Sequence, residues 1–268
     1  MSLIIGMCGV LFSIYYSFHA PQKGFEGFID YPSMVLLGLC PPSIMLLSHT
    51  IGEFFSGIYY LLLAILNKNR RMQGYLIEAL TRASALARSE GMGALIKERD
   101  RAKYPLFRDG LSLILNDFSV EEIRHNLQAK INSKQSQMTI AATLFENMSK
   151  VCPGVGMMGT LMGLISMLSK LSDPTRIGSG MAFAMITTLY GVILGTIIYA
   201  PWGEKIALEA EKTLELDMFV MEGVLHLKSK KSSLHLKDIM KTYAGVKMKG
   251  DGGGGQRLPP GHYNKQGA

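Results

Sequence analysis

The chain has 268 residues, 48% of them hydrophobic and only 18% charged, with a formal net charge of +7. Soluble domains disperse their apolar side chains and cover the surface with polar groups, yet four blocks here, Met1 to Gln22, Tyr31 to Gly52, Val151 to Ser169 and Ile177 to Gly203, hold no Asp, Glu, Lys or Arg. Each is close to the ~20 residues a helix needs to cross a bilayer, which excludes a soluble enzyme, a disordered chain and a secreted disulfide scaffold.

Taken in chain order, no Lys or Arg precedes the first block and no clear small-residue cleavage site follows it before Lys23, so it reads as a permanent helix and not as a secretory signal. Leu3 to Phe18 and Ser33 to Leu47 form a membrane hairpin whose short connection carries Gly24, Gly27 and Pro32. Pro41-Pro42 removes two backbone donors inside the second span, a defect tolerated in lipid where neighbouring helices or water satisfy the freed carbonyls. That span is therefore expected to pack among others. Cys8, Cys40 and Cys152 all fall within uncharged blocks and read as small apolar packing groups, with no disulfide expected. Glu53 to Asn67 is too short to cross alone; it is expected to be juxtamembrane and to prolong the second span into the interface.

Lys68 to Lys134 is rich in helix formers, with Leu76, Leu80, Ala83 and Ala87 at helical spacing and Ser119 three residues ahead of Glu122 as in a capping box. It reads as a helical cytoplasmic domain. Gln135 to Met148 carries little charge and is expected to form one long helix with the third span. After Trp202 an amphipathic pattern, Ile206, Ala210, Leu214, Met218, Met221 and Leu225, carries the fourth span into the cytoplasm. Lys228 to Lys249 is basic enough to lie against anionic lipid, and the glycine-rich tail is flexible. The expected fold is an all-α integral membrane protein with four transmembrane helices and a helical domain between the second and third. Its segments are 1–52 (first two spans), 53–134 (juxtamembrane and cytoplasmic domain), 135–203 (long third and fourth spans), 204–249 (amphipathic and basic helix) and 250–268 (tail).

Orientation follows from the basic residues that flank the spans. Lys68, Arg70, Arg71, Lys150 and Lys205 put both large polar segments, and with them both termini, in the cytoplasm. Membrane-flanking Lys and Arg account for the positive charge, and no zinc or stacking motif accompanies it, so nucleic acid is not expected as a partner.

The chain offers no histidine pair, nucleophile elbow, phosphate loop or Cys-x-x-Cys, so no catalytic residue, metal site or cofactor is expected; His125 and His235 read as solvated. The last two spans are more informative. Gly159 and Gly163 make a small-xxx-small pair, and Gly180, Ala184, Thr187 or Thr188, Gly191 and Gly195 fall along one face of the fourth span, which lets helix backbones approach closely. Thr160 and Thr188 can replace part of the hydration shell of a small cation. Equally, each can bond its own helix one turn back, and spacing alone favours that second reading. None of the four spans holds a carboxylate, so a chain that moves protons or sodium must borrow the ion-binding acid from another subunit. Pro153 and Pro201 lie near the same, cytoplasmic, face of two antiparallel helices; they are either hinges, or Pro201 ends its helix and Pro153 eases packing beside Gly154.

At these residues the sequence resembles the flagellar stator A subunit, the MotA/PomA family, and particularly its sodium-type branch. The resemblance is carried by Pro153-Gly154 with Gly156, Gly159-Thr160-Leu161, Gly163-Leu164, Asp173-Pro174, Ile177-Gly178, Ala182, Ala184, Thr187-Thr188-Leu189-Tyr190-Gly191 and Pro201. It extends to Phe28-Ile29-Asp30 and Gly52-Glu53-Phe54-Phe55, and weakly to Asp117 to Leu127. It implies a bacterial inner-membrane protein, a homo-oligomeric pentamer around two copies of a MotB/PomB-like B subunit, whose membrane aspartate lies near Thr160 and Thr188, with Thr160, Thr187 and Thr188 on the ion pathway. Ion passage, Na+ or H+, would then turn the pentamer, with Pro153 and Pro201 coupling conformation to ion binding. Torque would pass to the rotor switch protein FliG through Arg88, in the position of the family's principal basic residue. The acidic partner expected at position 96 is Ile96 here, which leaves Glu90, Lys97 and Glu98 as the charges at hand; charges such as those from Lys97 to Lys103 also read as a solvated helix face. The pairing of Thr160 with Thr188 is the sodium-type pattern. Two other readings compete: an energiser of outer-membrane processes resembling ExbB/TolQ, and a passive membrane scaffold whose small residues only pack helices.

Overall fold

The computed structural model describes residues 28–66, 69–169 and 174–229, with isolated helical positions between 6 and 16. Most of the first predicted span, the loop at 170–173 and the tail beyond 229 lie outside the described residues, His235 and the basic run after Lys228 included. Every described element is helical. Two compact units form, one from Met1–Asn69 with Ala129–Glu215, the other from Arg70–Gln128 with Leu216–Ala268.

In the first unit, helix α1 (Tyr31–Ser48) is started by Asp30, whose carboxylate accepts the Ser33 N–H at 2.9 Å, and Pro41 and Pro42 lie inside it without ending it. Ser33, Leu37, Pro41 and Met45 are buried at every fourth position, giving one stripe, and α1 packs along helix α7 (Pro174–Val192). The rest of its surface is apolar yet uncovered, Leu47 being 87% exposed, as suits a helix whose solvent is lipid or another subunit.

The segment after α1 does not prolong it. His49 and Thr50 are extended (ψ 150 and 154), and Thr50 begins a separate helix, α2 (Ile51–Ile65). The cause is a complete capping box: the Glu53 N–H donates to Thr50 Oγ1 at 3.3 Å and the Thr50 N–H to Glu53 Oε2 at 2.9 Å. Gly57, Leu61 and Ala64 are buried, and a Cβ at Gly57 would stand 3.7 Å from both Leu144 and Phe145 of the long helix α6 (Val120–Leu168). Met45, Leu61, Ala64, Ala141, Ala142, Leu144, Phe145, Met148 and Ile206 make the apolar cluster of this unit, and Trp202 packs edge-on against Phe145 at 5.7 Å.

Helix α6 starts at the predicted capping box, where the Ser119 N–H donates to Glu122 Oε2 at 2.8 Å and the Glu122 N–H to Ser119 Oγ at 3.3 Å. At ~1.5 Å per residue its 49 residues reach about 70 Å, well beyond a bilayer core. After α7 the chain stays helical through a wide π turn (Ile193–Tyr199) into α8 (Ala200–Lys228). Three stretches, Tyr31–Ser48 and parts of Val120–Leu168 and Ile177–Lys228, are long and apolar enough to cross a membrane; Ile51–Ile65 is apolar but shorter.

The second unit contains α3 (Asn69–Ser89), a 3-10 turn (Met92–Ala94), α4 (Leu95–Arg101), α5 (Pro105–Leu115), the start of α6 and the end of α8. Leu76, Leu80 and Ala83 are buried as their spacing predicts, Ala87 only partly, with Phe107, Leu111, Ile123, Leu127, Val220 and Met221 in the same unit's core. Gly110 and Gly223 permit close approach: a Cβ at Gly110 would stand 2.7 Å from Val224 Cγ2, and one at Gly223 2.7 Å from Leu80 Cδ1. With α5 on one flank of α8 and α3 on another, the buried positions shift to Leu216, Phe219, Val220, Met221 and Val224, and Met218, expected on the apolar face, is 36% exposed.

Two polar ties complete this unit. The Tyr104 hydroxyl donates to the buried Asp217 carboxylate; burial first, and then the adjacent carboxylate, push the Tyr104 hydroxyl far above the usual tyrosine range. Asp117, in the left-handed region at φ 58, closes α5, and its carboxylate accepts from Lys228 Nζ at 2.6 Å. That hydrogen bond holds the Asp117 carboxyl below its ordinary value.

Candidate functional site

The seam between α6 and α7 is built on missing side chains. A Cβ at Gly159 would stand 2.7 Å from Thr187 Cβ, and one at Gly163 2.7 Å from the Gly180 carbonyl oxygen and 2.8 Å from Ala184 Cβ. At Gly156 it would meet the Thr187 carbonyl oxygen at 3.0 Å, and at Gly191 the Cys152 carbonyl oxygen at 2.8 Å. Backbone oxygens thus face the α-carbons of the opposite helix, an approach that only glycine leaves open.

That closeness brings Thr160 and Thr188 together. Their hydroxyl oxygens are 2.5 Å apart. Thr160 Oγ1 also lies 3.1 Å from the Gly156 carbonyl oxygen and 3.3 Å from that of Ala184, which Thr188 Oγ1 approaches at 3.2 Å. Both readings of these threonines hold at once: each reaches its own helix one turn back, and the two also meet across the seam. Each hydroxyl oxygen donates one proton and keeps lone pairs beyond it. Such a set of neutral oxygens suits a small hard cation, but it carries no negative charge and no titratable group.

Thr187 is not part of the pair. It is 0% exposed, its hydroxyl lies 2.9 Å from the Phe183 carbonyl oxygen and 3.0 Å from that of Ala184 on its own helix, and the rest of its side chain packs on Gly159. One position before Thr188 and so about 100° round the helix, it lines the same seam against Gly159.

The two prolines meet the same feature. Pro153 has no N–H, so the Ser149 carbonyl oxygen loses its helical donor; a Cβ at Gly195 would stand 2.7 Å from that oxygen and 3.2 Å from Pro153 Cδ. Gly195 lies inside the π turn, where the Ala200 N–H reaches five residues back to the Gly195 carbonyl. A widened turn ahead of a proline relieves the clash of its ring with the preceding turn. Pro201 therefore does not end its helix, the plainer alternative, since α8 continues to Lys228. Beside it, Trp202 Nε1 is buried with no partner among the described residues.

Sequence reasoning gave no separate role to Asp30 and Tyr190. The Tyr190 hydroxyl donates to the Phe28 carbonyl at 2.5 Å, tying α7 to the turn that Asp30 caps. Both residues stood only within matched runs; an Asp three residues ahead of Ser33 is the local signal for the cap.

In the second unit, Arg88, Glu90, Lys97 and Ile96 are exposed, Ile96 by 47%. Glu98 is not: at 2% exposure it faces inward, 3.7 Å from Arg82 Nε and 3.8 Å from Arg101 Nη1, unlike the other charges expected at the rotor contact. The charge run is a solvated face only in part, because Glu98 follows the buried Leu95 by three residues and shares its side of α4.

Residues 98–241, more than half of the chain, match the MotA/TolQ/ExbB proton channel family. Motility protein A of Borreliella burgdorferi is 33% identical over 154 residues, 58% of this chain and 59% of that protein, so the match spans less than two thirds of that relative. Chemotaxis protein PomA of Vibrio alginolyticus is 28% identical over 216 residues, 81% of this chain and 84% of the other. Among solved structures, that of MotAB from C. jejuni superposes with a TM-score of 0.81 at 18% identity, covering 90% of this chain and 94% of that one. The flagellar MotAB stator complex of Bacillus subtilis gives 0.80 at 20% identity, covering 92% and 97%; at these identities both likenesses concern the fold. With its glycine seam, threonine pair and long apolar helices, the chain belongs to the MotA/TolQ/ExbB proton channel family.

Proposed function

We infer that the chain is the ion-conducting A subunit of a bacterial flagellar stator, a non-enzymatic inner-membrane protein that couples ion flow to torque on the rotor. The observation that carries this reading is the Thr160–Thr188 hydroxyl pair, 2.5 Å apart within a close glycine seam. The matched relatives named for motility and chemotaxis favour it over an ExbB/TolQ-like energiser or a passive scaffold.

In this reading the chain has four spans and cytoplasmic termini, and five copies surround two copies of a MotB/PomB-like subunit. That subunit contributes a membrane aspartate, and the threonine oxygens complete the ion's shell. Sodium fits better than a proton, because added neutral oxygen ligands help a metal ion and do nothing for a proton that needs only the carboxylate. Either ion supplies enough work, ~2.3 kcal/mol per charge per 100 mV. Pro153 and the π turn before Pro201, which meet at Gly195, are where helix geometry can change with ion occupancy. Arg88, Glu90 and Lys97 face FliG. The test is Thr188→Ala in cells that depend on this subunit for swimming: insertion should persist while motility falls or its sodium dependence changes. Unaltered swimming would remove the site.

A further inference from the structure

The corner that carries Arg88 is built on weak local structure. Helix α3 ends at Ser89, Gly91 turns the chain at φ 86, and both the 3-10 turn and α4 begin without a side-chain cap. Helix α4 has seven residues, and helices shorter than about 12 residues are marginal in water, so contacts outside α4 must hold it. Leu95 and Glu98 are its buried side chains. The far end is secured by Tyr75 of α3, whose hydroxyl donates to the Arg101 carbonyl at 3.0 Å and accepts the Lys103 N–H at 3.1 Å.

Glu98 secures the middle. Oε2 lies 3.7 Å from Arg82 Nε of α3, and Oε1 lies 3.8 Å from Arg101 Nη1 of α4, so each carboxylate oxygen serves one helix. The two arginine side chains keep 50% and 75% exposure and retain much of their hydration. A carboxylate removed from water is tolerated where cations meet it. Arg88 lies on α3 about 240° further round than Arg82 at ~100° per residue, so a tie that fixes α4 against α3 also fixes where Arg88 projects relative to α4.

We propose that Glu98 is a positioning residue: by joining α3 to α4 through Arg82 and Arg101, it presents Arg88 to the rotor at a fixed geometry without touching the rotor itself. The inference rests on the rotor-contact reading of Arg88. It is tested in the complete stator, in cells that lack their own A subunit and are supplied with the cognate B subunit. Membrane accumulation, ion flux and single-motor torque at high load are measured for Glu98→Gln, Glu98→Asp, Arg88→Ala and the double variant Arg88→Ala/Glu98→Gln.

Glu98→Gln should accumulate and conduct as the parent does while torque falls several-fold, and Glu98→Asp should recover part of the loss. The double variant should be no weaker than Arg88→Ala alone, because Glu98 acts through Arg88. Parental torque in Glu98→Gln, reduced ion flux in it, or losses that multiply in the double variant would each overturn the proposal. If Glu98→Gln fails to accumulate, Arg82→Ala carries the same test; failure of both makes the pair a folding element and overturns the positioning role. Parental torque in Arg88→Ala removes the rotor reading itself. A weakened Arg88→Ala beside a parental Glu98→Gln removes only the role of Glu98.

Discussion

A methyl group added along the α6–α7 seam should cost motility in proportion to what it meets. At Gly159 the new Cβ would stand 2.7–2.8 Å from three atoms of Thr187, a β-branched side chain with little rotamer freedom. Carbon contacts relax at ~3.5–4.0 Å, so the helices must part by about 1 Å. At Gly163 the obstacles include the Gly180 carbonyl oxygen at 2.7 Å and Ala184 Cβ at 2.8 Å, neither of which can rotate away. At Gly156 the contacts are 3.0, 3.3 and 3.4 Å, a demand of about half as much. Gly38 on α1 has nothing within 4 Å. Overpacking costs about 1–3 kcal/mol, offset by the ~1 kcal/mol that alanine gains over glycine in a helix. Alanine should therefore be neutral or stabilising at Gly38, mildly harmful at Gly156, and worth a net loss of up to about 2 kcal/mol at Gly159 and Gly163. Parting the helices also stretches the 2.5 Å Thr160–Thr188 pair toward the limit of hydrogen bonding. Melting temperatures of the solubilised protein and swimming speeds should fall in that order. A Gly159→Ala protein as stable and motile as the parent would refute the reasoning, as would Gly156→Ala proving worse than Gly163→Ala.

Thr187→Val should change sodium-dependent swimming little, because the hydroxyl it removes bonds carbonyl oxygens of its own helix and such exchanges are worth about 1 kcal/mol or less; loss of motility would show that the Thr187 hydroxyl serves the ion pathway. The second unit should weaken in acid. Asp117 is held below its ordinary value by the Lys228 hydrogen bond, and Glu122 by the backbone and side-chain hydrogen bonds of Ser119. Groups with depressed folded-state values contribute stability above the ordinary carboxylate range and lose it as pH falls through their folded values. Thermal melts followed from neutral pH downward should show that decline beginning near the carboxylate range, less steeply in Asp117→Asn; an unchanged slope in that variant would deny the tie.

What the sequence made legible was whatever depends on one segment at a time. Charge-free blocks marked the apolar helices, Ser119 and Glu122 marked the start of α6, and the spacing of Gly159, Gly163, Gly191 and Gly195 marked a close seam. The break at His49–Thr50 was also written locally, in Thr50 and Glu53, but the apolar run on either side masked it. Other features depend on partners distant in sequence. Glu98 is buried because Arg82, sixteen residues earlier, meets it, Tyr190 finds the Phe28 carbonyl across 162 positions, and the π turn answers both Pro201 and the fit of Gly195 against Pro153. Hydrophobic periodicity contains none of this.

The central claim is that this chain brings oxygens to a cation and relies on a companion for the acid. Purified and reconstituted into vesicles without a B subunit, it should pass neither sodium nor protons under an imposed voltage, and flux should appear when a companion carrying a membrane aspartate is added. Selective conduction by the chain alone would contradict the account.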